Sequence, residues 1–115
     1  MQTLRPQITL AEFERVDIRV GRVTEAGDFP RARKPSYLLT IDFGPLGIRR
    51  SVAALKADYN LDELRGRHVV CVVNFPPRRI AGFDSEVLVL AATEPNGTLR
   101  LLSPVPEALL GSHVT

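Results

Sequence analysis

Two histidines, one cysteine and a scatter of carboxylates are the residues of this chain that could support covalent or acid–base chemistry. His68 and Cys71 stand three apart in the run His68-Val69-Val70-Cys71-Val72-Val73. Nucleophilic catalysis needs a base within reach of the nucleophile. On an extended strand, residues three apart point to opposite faces, so these two form no dyad within it. Cys71 among valines reads as a small core residue, and His113 in the tail reads as solvated. The chain carries no nucleophile elbow and no glycine-rich phosphate loop. One cysteine and two distant histidines do not make a zinc ligand set. Asp17, Asp42, Asp84 and Glu86 could approach one another as paired carboxylates, but dispersed surface acids are the simpler explanation. No catalytic residue, metal site or cofactor is expected, and the chain is expected not to be an enzyme.

Binding chemistry is better represented. Arg31-Ala32-Arg33-Lys34 places three positive charges in four residues with no acid. Arg78-Arg79 and Arg49-Arg50 add two each. Phe29 and Tyr37 flank the first cluster, and Phe75 and Phe83 flank the Arg78-Arg79 pair. Cations for phosphates beside flat rings for bases are what single-strand nucleic-acid grooves use. The same surface suits an extended peptide: rings and Ile80 would take its apolar side chains, and arginines its carboxylates or carbonyls. Both readings stand at this level.

These loops must be held by something. Thr9-Leu10-Ala11-Glu12 has the form of a capping box and opens a short helix to about Arg15. Val16 to Thr24 alternates as a half-buried strand, and Gly21 breaks the pattern as a bulge or bend would. Residues 29–36 form a loop, Tyr37 to Phe43 a strand, Gly44-Pro45-Leu46-Gly47 a turn, and Ile48 to Leu55 the returning strand. Asp58 to Leu64 allows one helical turn. Val69 to Val73 is apolar on both faces, as in a strand covered on both sides. The prolines of Phe75 to Phe83 argue for an exposed basic loop. Glu86 to Ala92 is a strand, Asn96-Gly97 a hairpin turn, and Leu99 to Leu102 its partner. Five main strands with a bent first one suggest an all-β, five-stranded Greek-key OB-fold barrel with short helices. An SH3-like barrel or a small open sandwich would read similarly.

Composition sets the outer bounds. The chain has 115 residues, 44% hydrophobic and 24% charged, as in ordinary globular domains. Area scaling gives roughly 6,200 Å² folded against roughly 18,400 Å² unfolded, enough burial for one core. A single domain over residues 1–115 is therefore expected. No run of 18 apolar residues offers a membrane span, and Met1 to Pro6 lacks the apolar stretch of a secretory signal. One cysteine excludes an intrachain disulfide framework and fits a reducing, cytoplasmic setting. The net charge is only +2, but 13 of the 15 basic residues are arginine. Arginine's planar fork binds phosphate or carboxylate bidentately.

Three segments carry a family resemblance. Asp17-Ile18-Arg19-Val20-Gly21, Asn74-Phe75-Pro76-Pro77-Arg78-Arg79-Ile80-Ala81-Gly82-Phe83 and Ser85-Glu86-Val87-Leu88-Val89-Leu90 occur in that order. Together they resemble the CsaA proteins of the wider tRNA-binding domain family, over about Phe13 to Ala92. Ala32 to Tyr37 is similar to the CsaA pattern as well. The wider family usually has an acid where this chain has Arg33. CsaA proteins usually read S-S-A-Q-I where this chain has Ser51-Val52-Ala53-Ala54-Leu55, so Val52 and Ala54 replace polar residues.

The resemblance implies a non-enzymatic OB-fold homodimer. It implies export-related chaperone activity on unfolded or presecretory polypeptides, possible contact with the export machinery, and tRNA binding as the alternative. On that reading, Tyr37, Ser51, Ala53, Leu55, Phe75, Ile80 and Phe83 form floor or wall, and Arg33, Lys34, Arg78 and Arg79 the rim. The barrel would span about residues 16–92. Leu4, Ile8, Leu10 and Phe13 before it, and Leu99, Leu101, Leu102, Val105, Leu109 and Leu110 after it, exceed what its ends need. The extensions 1–15 and 93–115 are therefore expected to form a two-fold interface.

Overall fold

A computed structural model describes residues 3–115; the first two residues of the expected N-terminal extension lie outside the described residues. Helix α1 (Leu10–Glu14) starts at Thr9, whose hydroxyl accepts from the Glu12 amide while the Glu12 carboxylate accepts from the Thr9 amide. That reciprocal pair satisfies two donors that would otherwise lack partners. The Asn74 side chain then ties down the helix exit, accepting from the Asp17 amide at 2.9 Å and donating to the Arg15 carbonyl at 2.8 Å.

Strand β1 (Ile18–Phe29) is longer than its sequence pattern predicts. It pairs with β4 (His68–Val72) over its first half and with β2 (Ser36–Asp42) over its second. The change of partners bends it. The register slips between Val23 and Glu25, so the bulge lies past Gly21 rather than at it. Gly21 has a different cause: a Cβ there would sit 2.6 Å from Ile41 Cγ2 and 2.8 Å from Phe43 Cε1. The core admits no side chain at this point.

Strand β3 (Ile48–Ala53) returns antiparallel to β2 after a 3₁₀ turn at Gly44–Leu46. Helix α2 (Leu61–Leu64), capped by Asn60 and Glu63, covers the barrel's end with Leu64. The main sheet runs β3-β2-β1-β4-β7, with β7 at Leu88–Val89. Three meandering strands with a fourth returned beside the first make a Greek key. The sheet curls until β3 meets the segment entering β7. Glu86 N donates to Arg50 O at 2.8 Å, Arg50 N to Glu86 Oε1 at 2.9 Å, and Val52 N to Ser85 Oγ at 3.0 Å. Ser51 Oγ donates to Val87 O at 2.9 Å. This seam, partly built from side chains, closes an OB-type barrel.

Two expectations need correction. Residues 75–83 are not all loop: β5 (Arg78–Ile80) and β6 (Phe83–Ser85) form a hairpin. Its turn is Ala81-Gly82, both at positive φ (49° and 84°), and the prolines end before it begins. The single strand expected over Glu86 to Ala92 is divided into β7 and β8 (Ala91–Thr93), and β8 pairs with β9 (Leu99–Leu101) across the Asn96-Gly97 turn.

The barrel interior holds Val23, Leu39, Ile41, Phe43, Leu64, Val69 and Cys71, all fully buried. Burial pushes the Cys71 thiol up to about 12, because removal from water penalises the thiolate. A second cluster lies outside the barrel, where Ile18, Val70 and Val72 pack with Val16, Leu90 and Val114. Strand β4 is thus covered on both faces, as its apolar run predicts. The C-terminal tail makes that cover. Gly111 N donates to Val20 O, Val20 N to Ser112 O, and Val114 N to Ile18 O, filling the β1 edge that β2 leaves open. The C-terminal extension is therefore partly barrel, since Leu101 is buried in the main core and Leu99 packs against it.

Candidate functional site

The barrel seam does not run the full length of β3. Beyond Val52 the chain parts from β7 and β8, and a groove of about 560 Å³ opens between them. Such a volume falls within the roughly 300–1,000 Å³ typical of ligand sites. Four stretches line it: the loop at Ala32, Arg33, Lys34 and Ser36; Ser51 to Leu55; Arg78 and Ile80 of β5; and Leu88 to Ala91 with Thr93 and Leu99.

Strand period explains which side chains face it. Ser51 and Ala53 stand opposite Leu39 and Tyr37 on the inward face of the sheet. In β5, Arg78 and Ile80 share one face, whereas Arg79 takes the other. There Arg79 Nη1 meets the Asp84 carboxylate at 3.0 Å. The serine hydroxyls at the groove are already committed: Ser51 Oγ to Val87 O, and Ser36 Oγ to Lys34 O at 2.8 Å. The floor is left mainly apolar, and the charged lining groups are cations only.

Of the residues expected from sequence, the groove brings together Arg33, Lys34, Ser51, Ala53, Leu55, Arg78 and Ile80. Four lie elsewhere. Tyr37 is only 6% exposed and sits behind the floor. Its hydroxyl donates to Tyr59 O at 2.8 Å, and Tyr59 Oη in turn accepts from Leu101 N. It is a tie in the core rather than a wall. Phe75 is 49% exposed and lines a small cleft of about 80 Å³ beside the groove, sharing Val52, Arg78 and Leu88 with it. Arg79 and Phe83 border a separate polar depression with Arg50, Asp84 and Glu86.

The rings beside the basic clusters are mostly engaged. Phe29 is buried and meets Phe83 edge to face. The Arg31 guanidinium lies over Phe29 at 5.8 Å and that of Arg50 over Phe83 at 5.4 Å. Among Phe29, Tyr37, Phe75 and Phe83, only Phe75 is classed as exposed. Sequence reasoning missed Val89, Leu90 and Ala91 as lining residues. Among the described residues no group of three or more His, Cys, Asp or Glu is placed to hold a metal ion. No helix among them is long and apolar enough to cross a membrane.

Comparisons with known proteins bear on this geometry. The sequence model of a putative tRNA binding domain matches residues 18–113. The crystal structure of the chaperone CsaA from Bacillus anthracis superposes with a TM-score of 0.90 at 43% identity, covering 96% of this chain and 100% of that one. The CsaA chaperone protein from Picrophilus torridus gives 0.88 at 43% identity, covering 95% and 100%. The methionine–tRNA ligase of Porphyromonas gingivalis is 38% identical over 107 residues, which is 93% of this chain and 15% of the ligase. The chain spans about 15% of the length of the curated ligases it matches.

Proposed function

The chain belongs to the tRNA-binding domain family as a CsaA-type member, and from that premise we propose that it is a non-enzymatic, homodimeric, chaperone-like protein that binds extended, unfolded polypeptide. The observation that carries this reading is the groove at the open end of the barrel seam. Its floor of Ala53, Leu55, Ile80, Val89 and Ala91 would take apolar side chains, and Arg33, Lys34 and Arg78 would contact carboxylates or carbonyls. Apolar burial is non-directional, so such a groove accepts many sequences. Presecretory polypeptides, contact with the export machinery and a cytoplasmic setting are carried over from the CsaA resemblance.

Dimerisation rests on surface that one copy leaves uncovered. Leu4 is 98% exposed and Leu109 77%, and Ile8, Leu10, Leu102 and Val105 are exposed with them. The accessible surface is 7929 Å², against roughly 6,200 Å² for a compact monomer of this mass. The excess of about 1,700 Å² exceeds the roughly 800 Å² each partner contributes to a standard interface. In this reading residues 3–15 and the exposed part of 102–109 form the two-fold contact.

The second reading is a tRNA-binding module, favoured by the family and by the basic loops. The engagement of Phe29, Tyr37 and Phe83 weighs against it, since single-strand binding relies on open stacking rings. Titration of a labelled denatured polypeptide and of bulk tRNA across a salt series separates the two. Polypeptide binding with only a shallow salt response supports the first. Tight tRNA binding that falls by about 0.7 log units per log salt for each phosphate contacted, without polypeptide binding, replaces it with the second.

A further inference from the structure

Five cations among the described residues are held by carboxylates: Arg19, Lys56, Arg65, Arg79 and Arg100. The three cations that line the groove, Arg33, Lys34 and Arg78, are not among them. The contrast is local. Lys56 adjoins the same loop and has Asp28 at 2.6 Å, and Arg79 follows Arg78 and has Asp84 at 3.0 Å. Unpaired cations occur elsewhere on the surface too, but at the groove all three are without a carboxylate partner among the described residues. No Asp or Glu lines it, and the Ser36 and Ser51 hydroxyls are spent on backbone carbonyls.

We propose that this groove selects polypeptide segments in which carboxylates stand beside an apolar stretch, and discriminates against segments with lysine or arginine there. The proposal deepens the polypeptide-binding reading and rests on it. An incoming Asp or Glu meets guanidinium or ammonium donors that have no competing internal partner. An incoming Lys or Arg meets three like charges and no carboxylate. The apolar floor contributes affinity without regard to charge, so the rim decides between segments of equal hydrophobicity. Arg33 and Lys34 stand on the loop and Arg78 at the start of β5, so a bound segment meets positive charge from two walls.

Three fluorescently labelled peptides with one apolar core, flanked by Glu, Gln or Lys, test this by anisotropy at about 50 mM and 500 mM salt. The expected order of affinity is Glu, then Gln, then Lys, with an end-to-end spread on the order of tenfold at low salt. The spread narrows at high salt, where the screening length shrinks to a few ångströms. Replacing the three cations (Arg33→Gln, Lys34→Gln, Arg78→Gln) collapses it, while Arg100→Gln, which removes a charge paired with Glu94 elsewhere, does not. Coincident thermal melts establish that the variants are folded. Equal affinity for all three peptides at low salt overturns the selectivity and leaves the polypeptide reading intact. Failure of all three to bind overturns both. Tight binding of a single-stranded RNA oligomer under those conditions would then assign the cations to phosphate.

Discussion

Phe29 and Phe83 meet edge to face, with ring centroids 5.9 Å apart and planes at 69°. Phe29 ends β1 and leads into the basic loop, and Phe83 opens the second strand of the β5–β6 hairpin. The contact therefore joins two walls of the groove. Arg31 over Phe29 and Arg50 over Phe83 extend it at either end. The four side chains form a brace between the loop and the hairpin, and a preformed site costs less ordering on binding.

Removing one ring tests the brace. Phe83→Ala should lower stability by about 2 kcal/mol, below the range for a fully buried phenylalanine because Phe83 is only partly buried. Polypeptide affinity should fall as well, although Phe83 does not line the groove. Urea denaturation beside a binding titration measures both. A variant with unchanged affinity would show that the walls stand independently.

Gly21→Ala tests the packing of β1 against the barrel interior. The new methyl meets Ile41 and Phe43, both fully buried, so neither can swing aside. Overpacking of this kind costs about 1–3 kcal/mol. Gly27→Ala, where a Cβ meets nothing within 4 Å, is the control on the same strand and should cost little. Equal loss in both variants would contradict the steric account.

Cys71 supplies a pH dependence. Its thiol titrates near 9 when unfolded and is pushed up to about 12 in the fold. The folded state holds the proton more tightly, so this contribution to stability is fully present below pH 9 and declines as pH rises towards 12. A thiol reagent at pH 8 should label Cys71 only on unfolding. Rapid labelling of the folded protein would refute the buried placement.

The proposed dimer places the uncovered terminal leucines in its contact. Light scattering at micromolar concentration should report about twice 12.7 kDa. Leu10→Ser with Leu109→Ser should shift the distribution to the single chain and leave the barrel folded. A parent that scatters as 12.7 kDa alone would remove the two-fold interface from the account.

Much of this architecture is legible in local pattern. Alternation marks the start of β1, the Thr9 capping box marks the first helix, and the apolar run at Val69 to Val73 marks a strand covered twice. The Arg78 to Ser85 hairpin is hidden because the prolines just before it suggest a loop and Ala81-Gly82 is not a common turn pair. Tyr37 is misplaced by its neighbours: it follows a basic cluster, yet it is in phase with Leu39 and Ile41, and that phase points inward. Val89 to Ala91 escape for a different reason. They reach the groove only because β3 and β7 part after the Ser51–Val87 bond, a long-range relationship that no local spacing encodes.

Mapping the amide shifts of the isotope-labelled protein as an unfolded polypeptide is added tests the central claim most directly. The account expects changes at 32–36, 51–55, 78–80 and 88–91, with β1 and residues 38–42 of β2 undisturbed. Saturable binding whose shifts spare those segments and fall elsewhere would contradict it.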